Sequence, residues 1–199
     1  MNPSTLTALS PADGRYASKA SSLRPIFSEY GLIRFRVKVE VEWLRALSRE
    51  PAIVELGEIT GGPDRCLQRL VADFSEPDAE RIKQIEAGTN HDVKAVEYFI
   101  KEQLSESGAD ERLKEFTHFA CTSEDINNLA YALMMAEARE MVLLPLQARL
   151  IRRLSELARE FADLPMLSRT HGQPASPTTL GKEMANVSFR MRRQYDQLA

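Results

Sequence analysis

The sequence is poor in cysteine and has no long apolar segment. Its 199 residues include only Cys66 and Cys121, too few and too ordinary in spacing for a disulfide framework or a cysteine-based zinc site. Free thiols fit a reducing compartment. No apolar run approaches the roughly 20 residues that a membrane-spanning helix needs, and the first residues lack the basic and apolar regions of a secretory signal. These absences predict a cytoplasmic protein without a membrane partner.

The sequence also lacks a basic excess and a glycine-rich phosphate loop. Its formal net charge at pH 7 is −3, whereas nucleic-acid-binding proteins normally carry a clear positive excess. Without a glycine-rich loop, no nucleotide cofactor is predicted. The histidines, His91, His118 and His171, are too scattered for a standard zinc signature, so no metal is predicted.

Apolar periodicity predicts an all-α fold. Residues 35–43 alternate between apolar and charged side chains, which taken alone indicates a strand. Helical spacing of apolar residues on both sides of this stretch favours one helix over residues 22–50 instead. The other predicted helices cover residues 64–74, 75–86, 93–104, a short segment ending near Ala120, residues 122–163 with a kink at Pro145, and residues from Thr178 or Thr179 onward.

The distribution of helix breakers predicts two parts. Residues 1–110 are expected to form an N-terminal helical domain that begins with an arm over residues 1–21, and residues 111–199 the first, incomplete part of a helical bundle. A helix over residues 122–163 would be roughly 60 Å long, too long to bury its apolar face within this chain, so a bundle of several chains is predicted. Because the last helical pattern has no C-terminal capping residue, we expect the chain to be a piece of a longer protein.

Three polar segments lie just before or at predicted helix starts: residues 89–92, 122–123 and 170–173. Helix N-termini offer free N–H groups and partial positive charge, which suit carboxylates and phosphates, and Arg15 of the arm would add a guanidinium. Any one segment is equally consistent with ordinary helix capping. Their recurrence, twice with a histidine, favours a composite anion-binding site.

The histidines of these segments are the candidates for proton transfer. His171 lies among small polar residues between two predicted helices, where an imidazole is accessible while the helices hold its position. His91 precedes Asp92, and consecutive helical residues do not face each other, so a functional role and a purely structural one are equally consistent. His118 lies between two phenylalanines and is expected in the core or in a supporting position.

Several segments of the chain resemble the adenylosuccinate lyases of the fumarase/aspartase superfamily. They are residues 9–16, 89–94, 122–128, 168–175 and 181–186. The resemblance covers essentially the whole chain. It implies an all-α homotetramer in which this chain forms the N-terminal helical domain and the first long helices of the central bundle, with active sites assembled from three subunits.

The resemblance also implies a β-elimination that releases fumarate without a cofactor. Adenylosuccinate would give AMP, and the succinylated aminoimidazole carboxamide ribotide would give its free carboxamide. A base removes a proton next to a succinyl carboxylate, and an acid protonates the departing nitrogen. The matching residues are His171 as the general acid, Arg15 and Tyr16 at the nucleotide phosphate, Asn90, His91 and Asp92 at the substrate, and Thr122 and Ser123 at a succinyl carboxylate.

One motif of that superfamily is missing from this chain, the mobile loop that reads roughly Ser-Ser-x-x-Met-Pro-x-Lys-x-Asn and supplies the base. The chain alone is therefore expected to have little or no turnover. Two other interpretations stay open. One is a sister fumarate-releasing lyase of the argininosuccinate lyase or aspartase type, against which Arg15, Tyr16 and the form of residues 122–128 favour the purine enzyme. The other is a non-catalytic helical assembly module.

Overall fold

The computed structural model of the protein describes residues 5–199, and most of them are helical. The helices are α1 (Arg24–Phe27, preceded by a 3-10 turn over Ser21–Leu23), α2 (Glu29–Ser48), α3 (Gly61–Ala72), α4 (Glu76–Thr89), α5 (Asp92–Glu106), α6 (Glu111–Glu115), α7 (Ser123–Ala138), α8 (Leu144–Glu160) and α9 (Leu180–Leu198). Two strands, β1 (Pro165–Thr170) and β2 (Gln173–Thr179), complete the described elements. The predicted all-α class is confirmed, with one small hairpin added. No helix within residues 5–199 combines the length and apolar content needed to cross a bilayer.

The chain divides into two compact units, the first ending at Met135 and the second spanning Ala136–Ala199. The first unit holds α1 to α6 and most of α7, and the second holds α8, the hairpin and α9. The domain boundary predicted near residue 110 stays a prediction. Within the predicted arm, residues 1–4 lie outside the described residues, and residues 5–20 form a series of turns and bends.

Helix α2 is the centre of the first unit. Ile33, Val37, Val41 and Leu44 recur at helical spacing along it and belong to one buried cluster with residues of α3, α4 and α5. Phe35 is buried as well, so the helix is covered on more than one side. This burial explains the strand-like alternation, because tertiary packing overrides the weaker helix propensity of β-branched residues. The helix predicted over residues 22–50 is confirmed for residues 29–48, but it is not one helix, because Ser28 is extended and caps the start of α2.

Helix α4 begins with a capping box at Ser75. The backbone N–H of Ser75 donates to Asp78 Oδ2 at 2.9 Å, and the Ser75 hydroxyl donates to the same oxygen at 2.6 Å. The reciprocal bond from the backbone N–H of the third helical residue to the Ser75 side chain is also present. The two groups thus satisfy each other's donors at the helix start.

Replacing Ser75 with Ala is expected to lower the free energy of unfolding by about 1 kcal/mol, because one N–H at the start of α4 loses its acceptor. Urea unfolding followed by circular dichroism measures this change. Ser18→Ala is the matched control, since Ser18 is exposed in the arm and its removal should leave the urea midpoint unchanged. Equal effects of the two substitutions would contradict the capping role.

A π-helical turn over Arg139–Leu143 separates α7 from α8. It ends two residues before Pro145, whose ring prevents the normal i→i−4 hydrogen bond and clashes with the carbonyl of the preceding turn. Prolines and single π turns are both recognised causes of irregularity within a helix. The helix predicted over residues 122–163 is therefore found as α7, the π turn and α8, with the irregularity just before the proline.

In the second unit, α9 packs closely against α8. A Cβ atom at Gly181 would lie 2.4 Å from a backbone oxygen of α8, so this crossing requires glycine. Further along, the hydroxyls of Ser155 and Ser188 lie 2.7 Å apart. The predicted start of the last helix is confirmed, because the Thr179 hydroxyl accepts the N–H of Lys182 at 3.1 Å.

The polar segment predicted as a loop around His171 is instead an antiparallel hairpin. Thr170 pairs with Gln173, and His171 and Gly172 form the turn with φ angles of 51° and 77°. Two consecutive positive φ angles are typical of the type I′ turn, whose twist matches that of the flanking strands. Both strands are largely exposed, so they lack the apolar alternation by which strands are predicted.

Candidate functional site

The junction between α4 and α5 presents the first group of predicted site residues. Asn90 ends α4 in a left-handed conformation with φ of 51°, which asparagine tolerates better than most residues. His91 caps α5, and its Nδ1 accepts the N–H of Lys94 at 3.1 Å. In a neutral imidazole this bond assigns the proton to Nε2. The exposed ring of His91 therefore presents an N–H donor to solvent.

A buried arginine connects this junction to α7. The Arg36 guanidinium donates through Nε to Asn127 Oδ1 at 2.9 Å and contacts Asp92 Oδ2 at 2.7 Å. Arg36 is only 6% exposed, so its charge depends on these partners. The structure thus brings Asp92, at the start of α5, together with the first turns of α7.

Arg36 and Asn127 were not among the functional candidates predicted from the sequence. Arg36 was visible only as one of several charged residues alternating with apolar ones in α2. Burial distinguishes Arg36 from most of these charged residues. A charged residue is rarely buried without a partner. A charged residue on the apolar face of a central helix is the signal that could have identified it.

The backbone N–H of Val93 and the Arg36 guanidinium favour the ionised form of Asp92. Burial alone would raise the pKa of Asp92, but the backbone N–H of Val93 and the Arg36 guanidinium outweigh burial and lower this pKa below its ordinary value. The N–H of Val93 lies 2.9 Å from Asp92 Oδ1. Asp92 is therefore a carboxylate held in place by two donors, which suits it to positioning rather than to proton transfer.

Thr122 and Ser123 lie at the start of α7, the second predicted group. Asp125 Oδ2 accepts the backbone N–H of Thr122 at 2.8 Å and its hydroxyl at 2.9 Å. These two donors of Thr122 lower the pKa of Asp125. The chain's own carboxylate thus engages Thr122, whereas the Ser123 hydroxyl makes no hydrogen bond within residues 5–199. An incoming anion would find Ser123 and the free N–H groups of the helix start.

Arg15 and Tyr16 lie together on the turns of the arm. The Arg15 guanidinium lies 5.4 Å from the centroid of the Tyr16 ring, and both side chains are exposed. The backbone N–H of Tyr16 donates to Pro11 O at 2.8 Å, which holds the turn. No hydrogen bond joins either side chain to residues 90–92 or 122–123 in the described part of the chain.

His171 belongs to the second compact unit, at the tip of the hairpin. Its ring is exposed and has no hydrogen bond within the described residues. A tight turn between two paired strands holds the backbone at this position while the imidazole faces solvent. This combination of fixed backbone and accessible ring is what a proton-transferring group requires.

A second buried charge, Glu97, lies on α5 behind the junction. Its carboxylate contacts Lys94 Nζ at 2.8 Å and Lys101 Nζ at 3.1 Å, and the residue is 4% exposed. Burial would raise the pKa of Glu97, but the bonds from Lys94 and Lys101 lower it below its ordinary value of 4.5. Glu97 thus stabilises the folded state while it is ionised.

The substitution Glu97→Gln is expected to lower the free energy of unfolding at pH 7 by about 1–2 kcal/mol, because two charge-assisted hydrogen bonds weaken. The ionised Glu97 makes its full contribution to the free energy of unfolding above pH 4.5. This contribution disappears as the pH falls through the lower pKa that Glu97 has in the folded state. The difference between the native and substituted proteins should therefore shrink below pH 4.5. Urea unfolding across this pH range tests the expectation, with Glu80→Gln on the exposed face of α4 as the control. If the difference in free energy of unfolding stayed the same in acid, the stabilising role of the Glu97 carboxylate would be contradicted.

Comparison with known proteins gives these elements a family context. A family model described as lyase matches residues 14–199. The adenylosuccinate lyase of Escherichia coli (strain K12) is 58% identical over 198 residues, covering 100% of this chain and 43% of that protein. The adenylosuccinate lyases of Haemophilus influenzae and Vibrio cholerae are 56% and 54% identical, over 100% of this chain and 43% and 44% of theirs. The chain spans less than half the length of these curated relatives.

Solved structures share the fold at low sequence identity. The fumarate lyase from Mesorhizobium sp. BNC1 matches with a TM-score of 0.71 and 23% identity, over 89% of this chain and 39% of that one. The beta-carboxy-cis,cis-muconate cycloisomerase from Acinetobacter calcoaceticus sp. ADP1 matches with a TM-score of 0.68 and 19% identity, over 89% and 39%. These likenesses support the predicted fold type and carry no information on the reaction.

Proposed function

Because this chain belongs to the lyase family whose model matches residues 14–199, we propose that the complete protein cleaves adenylosuccinate to AMP and fumarate. The observation that carries the proposal is the identity above one half to three curated adenylosuccinate lyases along the whole of this chain. The same β-elimination would convert the succinylated aminoimidazole carboxamide ribotide to its carboxamide. The activity is a property of the complete protein, since this chain spans 43% of the E. coli relative.

In this proposal His171 is the general acid. The reaction breaks the bond between carbon and nitrogen in the succinyl-amine unit, so the departing nitrogen needs a proton as the carbanion collapses to fumarate. An exposed imidazole on a hairpin turn can deliver that proton without moving the backbone. A positioned acid of this kind is worth about 10²–10⁴ in rate. The base belongs to the serine loop expected elsewhere in the complete protein.

The anionic parts of the substrate would bind at the helix starts and the arm. Thr122 and Ser123 would hold a succinyl carboxylate at the N-terminus of α7, where N–H groups stabilise negative charge, with Thr122 exchanging its bonds to Asp125 for bonds to the substrate. Asn90, His91 and Asp92 would contact the substrate at the start of α5, with the Nε2–H of His91 as a donor. Arg15 and Tyr16 would bind the nucleotide phosphate. We add Arg36 as a positioning residue, because it joins Asp92 to α7.

The proposed partners are the nucleotide substrate and further copies of the protein. Helices α8 and α9 expose large apolar side chains, among them Leu150, Val187 and Phe189 at 49%, 45% and 67%. Exposed apolar residues on two long helices support assembly into a multi-chain bundle, with the site shared between subunits. The proposed location is the cytoplasm. No cofactor, nucleic acid or membrane takes part in the proposed function.

Assay of the complete protein against three substrates tests the proposal. Fumarate formation, followed by its ultraviolet absorbance, is expected with adenylosuccinate and not with argininosuccinate or aspartate. Fumarate release from argininosuccinate or aspartate would instead identify the protein as a sister lyase. No release from any substrate by a folded protein would favour the assembly module. The chain of residues 1–199 serves as the control and should show little or no turnover.

A further inference from the structure

A buried cluster of three side chains lies beside the predicted anion site and has no part in the proposed reaction. Glu40 on α2 is 0% exposed, and its Oε1 lies 2.6 Å from His118 Nδ1. Cys121 Sγ lies 3.5 Å from the same nitrogen. All three ligand atoms lie within 4.8 Å of one another. We propose that Glu40, His118 and Cys121 form a binding site for a thiophilic divalent cation of the zinc class.

The distances between the ligand atoms fit a tetrahedral ion. Zinc bonds of about 2.0–2.1 Å to nitrogen, about 2.3 Å to sulfur and about 2.0–2.2 Å to oxygen place tetrahedral N···S and N···O pairs roughly 3.6 and 3.3 Å apart. The distance of 3.5 Å between His118 Nδ1 and Cys121 Sγ already matches. The 2.6 Å between Nδ1 and Glu40 Oε1 is a hydrogen bond, so the carboxylate would move back by roughly 0.7 Å as the ion replaces the proton.

The second carboxylate oxygen of Glu40 is an independent indication of a missing partner. Glu40 Oε2 is buried and accepts no hydrogen bond within the described residues. An unsatisfied buried carboxylate oxygen costs free energy and is rare in native proteins. Burial outweighs the contact with His118 and raises the pKa of Glu40, and a cation bound by Oε1, or by both oxygens, would stabilise the ionised carboxylate.

The electrostatic surroundings of Cys121 favour a cation. Burial, together with the negative charges of Glu40, Asp125 and Glu97, raises the pKa of the Cys121 thiol to about 12. A thiol in this state is not a nucleophile at neutral pH. The same negative charges would attract a divalent ion, which would convert the thiol to a bound thiolate and release its proton to solvent. The imidazole proton would move from Nδ1 to Nε2.

The segment that carries two of the ligands has an unusual backbone, and one ligand is accessible. His118 and Ala120 have φ angles of 63° and 58°, a conformation that side-chain-bearing residues rarely adopt. Trp43 Nε1 fixes the segment by donating to Phe119 O at 2.8 Å. Cys121 lines a cavity of about 570 Å³ between α2 and α7. That cavity provides an entry path and room for a water as the fourth ligand, as three-ligand zinc sites commonly have.

Cobalt(II) titration of the complete, metal-stripped protein tests the site with a readout that is independent of activity. Binding should produce a thiolate-to-cobalt charge-transfer band that saturates at one ion per chain, and the apparent affinity should rise with pH as the thiol loses its proton. Competition with a chromophoric chelator then measures the affinity for Zn²⁺. No saturable band, or an affinity that is independent of pH, would overturn the proposal.

Two cysteine variants make the test specific. Cys121→Ser should abolish the charge-transfer band and weaken Zn²⁺ binding by more than about 100-fold, beyond the 10–100-fold typical of residues that only support ligands. Cys66→Ser is the matched control, because Cys66 is also half-buried and its Sγ donates to Gln103 O at 3.5 Å, but it belongs to no cluster of potential metal ligands within the described residues. It should bind both ions unchanged. A band that survives Cys121→Ser, or is lost with Cys66→Ser, would refute the assignment. Circular dichroism spectra confirm that both variants are folded, and Cys121→Ala provides a second ligand deletion.

Discussion

His171→Asn in the complete protein is expected to reduce kcat for fumarate release from adenylosuccinate by about 10²–10⁴. The substitution removes the proton donor of the departing nitrogen. It preserves the hairpin, because asparagine tolerates the left-handed conformation that His171 adopts at φ of 51°. KM should change little by comparison, since the lost interaction belongs to the transition state. Initial-rate kinetics with the complete protein measure both parameters.

A second substitution at His171 separates chemistry from backbone conformation. Alanine also lacks the proton donor, but it disfavours the positive φ of the turn. If His171 acts as the acid, His171→Ala and His171→Asn should lose activity to within about tenfold of each other, since both lack the acid. If the turn conformation is what matters, His171→Asn should retain near-native kcat and only His171→Ala should lose it. The second result would contradict the role proposed for His171.

Arg36→Met is expected to lower the free energy of unfolding by about 2–3 kcal/mol. The arginine makes charge-assisted bonds to Asp92 and Asn127 from a position 6% exposed, and methionine fills similar volume without replacing them. The Asp92 carboxylate is half exposed, so water partly compensates its loss, and the cost stays below the 3–5 kcal/mol of a fully buried broken pair. Urea unfolding measures the change.

The same substitution distinguishes a positioning residue from a purely structural one. In the complete protein Arg36→Met should raise KM for adenylosuccinate more than it lowers kcat, because the start of α5 loses its link to α7. Arg36→Lys should recover only part of the stability, since one ammonium cannot reproduce the planar guanidinium that reaches both partners. Arg49→Met, an exposed change at the end of α2, is the control. An unchanged KM would limit Arg36 to a structural role.

The helices were largely predictable because the interactions that define their ends are local. The Ser75 hydroxyl and the Asp78 carboxylate that begin α4, and the Thr179 hydroxyl that begins α9, act on groups three residues away. Such contacts are visible in the sequence as a capping residue and its partner three positions later. The hairpin was not predicted because its strands lack such a local signal. Its strands are largely exposed and rich in Ser, Thr and Pro, so no alternating apolar face marks them.

The sequence by itself determined the helical fold, the helix starts and the motifs that resemble a family, because capping, periodicity and short motifs depend on residues close together in the chain. Only the tertiary structure decided which distant residues meet. Arg36 and Asn127 are separated by 91 positions and Glu40 and His118 by 78, and no local pattern relates them. Burial then decides what these pairs do. A charge enclosed by packed helices must find a partner, and which partner it finds depends on how α2, α5 and α7 come together.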